Sequence, residues 1–209
     1  MSEGSPSAKR WVLMVIGLAG AVMGLTLLFL GMRAVMEVGG VCGSGNTVSV
    51  PRVQCPKGVP GVMMLGIFGG LIFLGLYVFN AIGVNLGALA WPALFLSLGW
   101  NFLVYGLDPP VGDVSVGWLV CAVLFGLMGG VPLVIGLWAW RDGRTTRWKS
   151  VQATRRVAGS RFGPLDEEHT RRIRRIAIAV QLASIAAGVW IGIEIFEAAT
   201  DTSVGFGVR

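Results

Sequence analysis

From Gly58 to Leu107 the chain runs for 50 positions without a single charged residue. A water-soluble domain does not hide a stretch of that length, because a globular surface needs polar and charged residues at short intervals. A bilayer asks for the opposite: about 20 apolar residues per helical crossing, each adding about 1.5 Å of rise. The run is long enough for two crossings and has to turn once. Asn80-Ala81-Ile82-Gly83-Val84-Asn85 is the turn, leaving helices over about 61–79 and 86–106. So short a connection predicts that these two helices are antiparallel neighbours.

The same measure finds three further crossings, from Trp11 to Met32, from Val116 to Trp140 and from Ile176 to Phe196. The first is too long for a signal-peptide core and no small-x-small cleavage site follows it, so it reads as a retained helix. The expected fold is all-α, a polytopic transmembrane bundle of five helices: a four-helix core over 11–140 and a fifth helix over 176–199. Composition agrees, with 54% hydrophobic and 13% charged residues and a mean hydropathy of +0.72. The 32 glycines fall largely inside the apolar runs, where they let helix backbones approach closely. Pairs four apart occur at Gly20 and Gly24, Gly66 and Gly70, Gly83 and Gly87, Gly126 and Gly130, and Gly188 and Gly192. Gly69-Gly70 to Tyr77 and Gly129-Gly130 to Trp138 share a Gly pair and a Gly-Leu-aromatic ending, a pattern that a duplicated hairpin would leave.

Charge sets the expected orientation. The stretch from Arg141 to Arg175 holds eleven of the seventeen Lys and Arg residues. With Lys9 and Arg10 on the same side, thirteen bases face four: Arg33, Arg52, Lys57 and Arg209. The positive-inside rule then places residues 1–10 and 141–175 in the cytoplasm, and the 38–60 loop and the 200–209 tail outside it. Nucleic acid is a poor fit for the net charge of +6, since the bases flank membrane spans and no nucleic-acid motif accompanies them. Arg141, Arg144, Arg147, Lys149, Arg155, Arg156, Arg171, Arg172, Arg174 and Arg175 are the expected contacts for anionic lipid headgroups or a cytoplasmic partner. Asp166 reads as an N-cap, with Glu167 and Glu168 in the first turn of a helix that runs straight into the fifth crossing.

Candidate chemistry is sparse. Cys42 and Cys55 share the outer loop, where a disulfide persists, and closing that loop would stabilise the fold by about 3 kcal/mol. A redox role is the weaker reading because the two are not in a C-x-x-C pair. Cys121 is expected to pack as a buried thiol. Pro92 should free a backbone carbonyl and kink its helix, and Asn101 should be an intramembrane polar group in need of a partner. Gln181, Ser97 and Thr26 are further candidates for bonds between helices, and Arg33 and Glu37 for an i,i+4 pair at the outer interface. Glu194 lies nineteen residues beyond Arg175, which places it near the outer boundary as a solvated carboxylate. The lone His169 has no set of metal ligands around it, and no cofactor motif is present, so neither metal nor cofactor is expected.

Cys42 and Cys55-Pro56 in a short Gly-rich loop, Trp91-Pro92-Ala93-Leu94-Phe95, Gly99-Trp100-Asn101-Phe102 and the Arg-rich inner stretch resemble small multipass membrane proteins of actinobacteria with no assigned activity. The resemblance covers residues 11–140 and implies an envelope location but no mechanism. Claudin-type proteins share an outer-loop disulfide, but their Gly-Leu-Trp signature is missing here. The reading that follows is a non-enzymatic structural or accessory subunit of the plasma membrane, in contact with lipid and with a membrane-protein partner or a second copy. A pore or carrier for a small neutral solute, built on Pro92 and Asn101, is the alternative. A thiol-disulfide protein using Cys42 and Cys55 is the third.

Overall fold

The computed structural model describes residues 7–39, 56–82, 85–110, 112–141 and 167–200. Among them are five long helices: α1 (Ala8–Glu37), α2 (Val59–Asn80), α3 (Ala90–Leu107, entered through a 3-10 turn at Leu86–Leu89), α4 (Val116–Arg141) and α5 (Glu167–Thr200). Each has a span of the length and apolarity needed to cross a membrane. The first four are apolar around their whole circumference rather than along one stripe, as helices surrounded by lipid tails are. All five expected crossings are present. The first extends beyond its expected 11–32 limits to take in Lys9 and Arg10 at one end and Arg33 to Glu37 at the other. Continuity of α5 from Glu167 onward also agrees with the sequence, while Asp166 lies outside the described residues.

Expected pairing fails for α2 and α3, which are not packed neighbours. The chain forms two antiparallel hairpins, α1 with α2 and α3 with α4, and α5 lies along α1. A five-residue link brings the facing ends of α2 and α3 together at residues 81–85, but it does not hold the helices together along their length. Glycine placement does. A Cβ on Gly24 would stand 2.6 Å from Gly70 Cα and 2.8 Å from Gly66 O, so α1 and α2 meet backbone to backbone there. On another side of α1, Gly188 rests on Ala19 and Val22, and Gly192 on Met23 and Thr26. Gly99 and Gly106 of α3 and Gly129 of α4 close the second hairpin. A Cβ on Gly126 or Gly130 would meet open space, although the Gly126 backbone nitrogen lies 3.3 Å from a Cβ placed on Gly99.

The two Gly-Gly motifs are used differently. In α2 the second glycine, Gly70, meets the partner helix and Tyr77 is fully buried; in α4 the first, Gly129, does so and Trp138 is 72% exposed. The shared pattern therefore does not place equivalent residues in equivalent positions.

Proline roles also differ from expectation. Pro92 is the third residue of α3, in a first turn whose N–H groups lack intrahelical acceptors anyway, so it opens the helix rather than kinking its middle. Pro132 is the proline inside a helix. Without an N–H it cannot bond the carbonyl four residues back, Met128, and the Trp91 indole Nε1 donates to that oxygen at 3.1 Å. Trp91 continues into a row of ring contacts between the two helices, Phe95 to Phe125 and Phe125 to Phe102.

Helix directions follow from these contacts. Gly17 faces Tyr77 and Gly31 faces Met63, so α1 and α2 are antiparallel. Gln181 meets Met14, and Phe196 clusters with Leu27 and Leu30, so α1 and α5 are parallel. Helices α1, α3 and α5 run one way and α2 and α4 the other, with the start of α1 and the end of α5 at opposite ends of the bundle. Lys9, Arg10, Arg141, Arg172, Arg174 and Arg175 share the first end; Glu37, Lys57, Asp108, Asp113 and Glu197 share the second.

Candidate functional site

Polar side chains form three ties between helices, one near each end and one between. At the basic end, α1, α2, the 81–85 link and α5 converge on Tyr77 and Gln181, 0% and 1% exposed. The Tyr77 hydroxyl accepts the Leu86 N–H at 2.8 Å and donates to Gln181 Oε1 at 3.3 Å. Gln181 Nε2 donates to the Ile82 carbonyl at 3.1 Å and faces Met14 Sδ at 3.7 Å. Beside them, the Arg10 guanidinium donates to the Ala81 carbonyl at 3.0 Å and to that of Asn80 at 3.4 Å, a cation at the carbonyl end of α2.

The middle tie is Asn101. Its side chain is 2% exposed and Nδ2 donates to the Phe29 carbonyl at 3.1 Å, joining the second hairpin to α1. At the far end, Glu37 Oε1 accepts both from Arg33 Nε at 3.3 Å and from the Tyr105 hydroxyl at 2.9 Å, and Tyr105 stands edge-on to Trp118 of α4. The expected Arg33–Glu37 pair thus exists and is extended by a tyrosine from α3.

Of the other polar candidates, Gln181 and Asn101 do bridge helices, whereas Ser97 and Thr26 bond carbonyls of their own helices, Leu94 and Val22. A hydroxyl one turn below a free lone pair satisfies itself locally, which is why those two make no crossing bond. No buried side-chain N or O among the described residues lacks a partner. Tyr77 was not legible as a site: in sequence it is one aromatic at the end of an apolar run.

Cys42 and Cys55, and with them the expected bridge, lie outside the described residues, as do Arg144, Arg147, Lys149, Arg155 and Arg156. Cys121 is half-buried and unpaired on α4. Arg141 ends α4 and Arg171 falls in the opening turns of α5; Arg172, Arg174 and Arg175 are exposed. Among the described residues no three His, Cys, Asp or Glu side chains converge on a point where a metal ion would fit.

Glu194 is deeper than its spacing from Arg175 implies. Gln181 is level with Met14, and six residues back along both parallel helices Arg175 is level with Ala8, outside Arg10. Counting from Arg175 therefore starts beyond the apolar slab. Thirteen residues forward from the same contact, Glu194 is level with Leu27, six residues or about 9 Å inward of Arg33. Its neighbours in the register agree, since Gly192 rests on Met23 and Thr26 and Phe196 clusters with Leu27 and Leu30.

The chain matches no protein-family model, and no curated protein and no solved structure is similar to it. The resemblance to small actinobacterial multipass proteins gains no support from these comparisons.

Proposed function

We propose that this multipass membrane protein is a non-enzymatic accessory or structural subunit of the plasma membrane, with the start of α1 in the cytoplasm and the end of α5 outside it. The observation that carries the reading is the use of its interior polar groups. Tyr77, Gln181 and Asn101 are each committed to holding helices together, through the Leu86 N–H and the Ile82 and Phe29 carbonyls. What remains for interaction is the outside of the bundle. α4 packs on α3 alone and exposes Val120, Val123, Leu127, Val131 and Val134 along its other side. Bases gathered at one end support both the orientation and a contact with anionic headgroups, each worth about 1 kcal/mol near the surface.

Photo-crosslinking in native membranes from Val123 and Val134, with mass-spectrometric identification, is the direct test. A reproducible membrane-protein neighbour is expected; crosslinks to lipid alone from every outward position reject the accessory role. An Asn101 Nδ2 donor that the carrier reading would turn toward a solute is bonded to the Phe29 carbonyl. Liposomes holding wild type or Asn101→Leu are accordingly expected to show the same background flux of small neutral solutes, and flux abolished by the substitution would restore that reading. Labelling a cysteine placed at Ser160 from outside intact cells would invert the orientation.

A further inference from the structure

Glu194 is a carboxylate on the outer surface of the bundle. It is exposed on α5 and makes no hydrogen bond or ion pair among the described residues. Its level, that of Leu27, lies within the apolar slab whose rim on this side carries Arg33, Glu37, Lys57 and Asp108. Reaching that rim is against the geometry of the helix. Side chains lean toward the N-terminal end of their helix, and α5 starts at the opposite, basic end of the bundle, so Glu194 leans deeper. Ionisable groups at such depth face a partner or mark a functional site.

The surface around it has the form of a helix seam. Ala183, Ala187, Trp190 and Glu194 recur at three- and four-residue steps and fall on one exposed face of α5, with Trp190 63% exposed. Small residues four apart admit a second backbone, and the Trp190 ring lies one turn below the carboxylate, ready to cover the stem or head of a long cation. Gly188 and Gly192 are on the opposite side, already packed on α1.

We infer that this face of α5 docks a transmembrane helix of another protein carrying a lysine or arginine level with Glu194. Charge selects the occupant. A second copy joined through the same face, with both copies in one orientation, would set Glu194 against Glu194. A wholly apolar helix would leave the carboxylate unpaired in hydrocarbon. The inference rests on the accessory-subunit reading and narrows it to one face and one chemistry.

The test uses the full chain in phosphatidylethanolamine–phosphatidylglycerol liposomes, with fluorescence energy transfer to synthetic Leu/Ala transmembrane peptides. One peptide carries a single lysine at the depth of Glu194, and its control carries leucine there. The lysine peptide is expected to associate about tenfold more strongly than the leucine peptide, and Glu194→Gln is expected to remove that preference. Ala187→Phe, which fills the seam and leaves the carboxylate, is expected to weaken both peptides. Equal association of the two peptides overturns the inference, as does a preference that survives Glu194→Gln. Loss of thermal stability of the isolated protein on Glu194→Gln also overturns it, by showing that the chain itself supplies the partner. Crosslinks from α4 in cells that persist alongside a negative peptide result discard this seam and keep the accessory role; a positive peptide result without cellular crosslinks does the reverse.

Discussion

Replacing Tyr77 by Phe removes one oxygen from a fully buried ring and changes nothing else in its packing. The substitution removes the bond that the oxygen accepts from the Leu86 N–H and the one that it donates to Gln181 Oε1. Hydrogen bonds between transmembrane helices average about 0.6 kcal/mol and reach about 1.7, and an orphaned buried donor adds to the loss, giving about 2 kcal/mol for Tyr77→Phe. Gln181→Leu removes the bond to the Ile82 carbonyl and the bond from the tyrosine hydroxyl, for a similar loss of about 2 kcal/mol. Because the two side chains share the 3.3 Å bond, the double variant is expected to lose about 3 kcal/mol rather than about 4, a coupling of about 1 kcal/mol. Reversible unfolding by sodium dodecyl sulfate in mixed micelles, followed by far-ultraviolet circular dichroism, measures all three. Single losses that add within about 0.3 kcal/mol would refute the claim that Tyr77 and Gln181 act as one knot.

Two further outcomes test the glycine seams and the proline bond. Gly24→Leu drives a side chain into the Gly66–Gly70 backbone and is expected to cost about 3 kcal/mol in the same assay, whereas Gly130→Leu, which meets nothing, should stay within about 0.5. Trp91→Phe is expected to cost about 1 kcal/mol by leaving the Met128 carbonyl unpaired. In a Pro132→Ala background, where the restored N–H reaches that carbonyl, the same change should cost less than half as much.

The number of helices and the straight entry of Arg172 to Arg175 into α5 were legible because bilayer thickness and charge placement act on the sequence directly. Helix pairing was not. A short link constrains two ends, and helices that are apolar all round carry no stripe to say which side meets which neighbour. What decides the pairing is which glycines meet: Gly24 with Gly70 closes the first hairpin and Gly99 with the Gly126 backbone the second, while Gly130 meets nothing. Polar residues were half legible for a related reason. Asn101 and Gln181 are long enough to reach another helix, but Ser97 and Thr26 find a carbonyl in their own. Glu194 was misplaced because depth depends on where α5 sits against α1, and sequence spacing alone lacks that origin.

The parallel contact between α1 and α5 joins two helices that have α2, α3 and α4 between them in sequence. Ribosomes deliver transmembrane segments in order, so the Ala19, Val22, Met23 and Thr26 side of α1 stays uncovered by its own chain until translation reaches Gly188 and Gly192. Until then that side is open to lipid, to an insertase or to a neighbouring nascent helix. Closure of this side of the bundle thus waits for α5. A ribosome that stops after Arg141 would release two hairpins with no fifth helix to seal them.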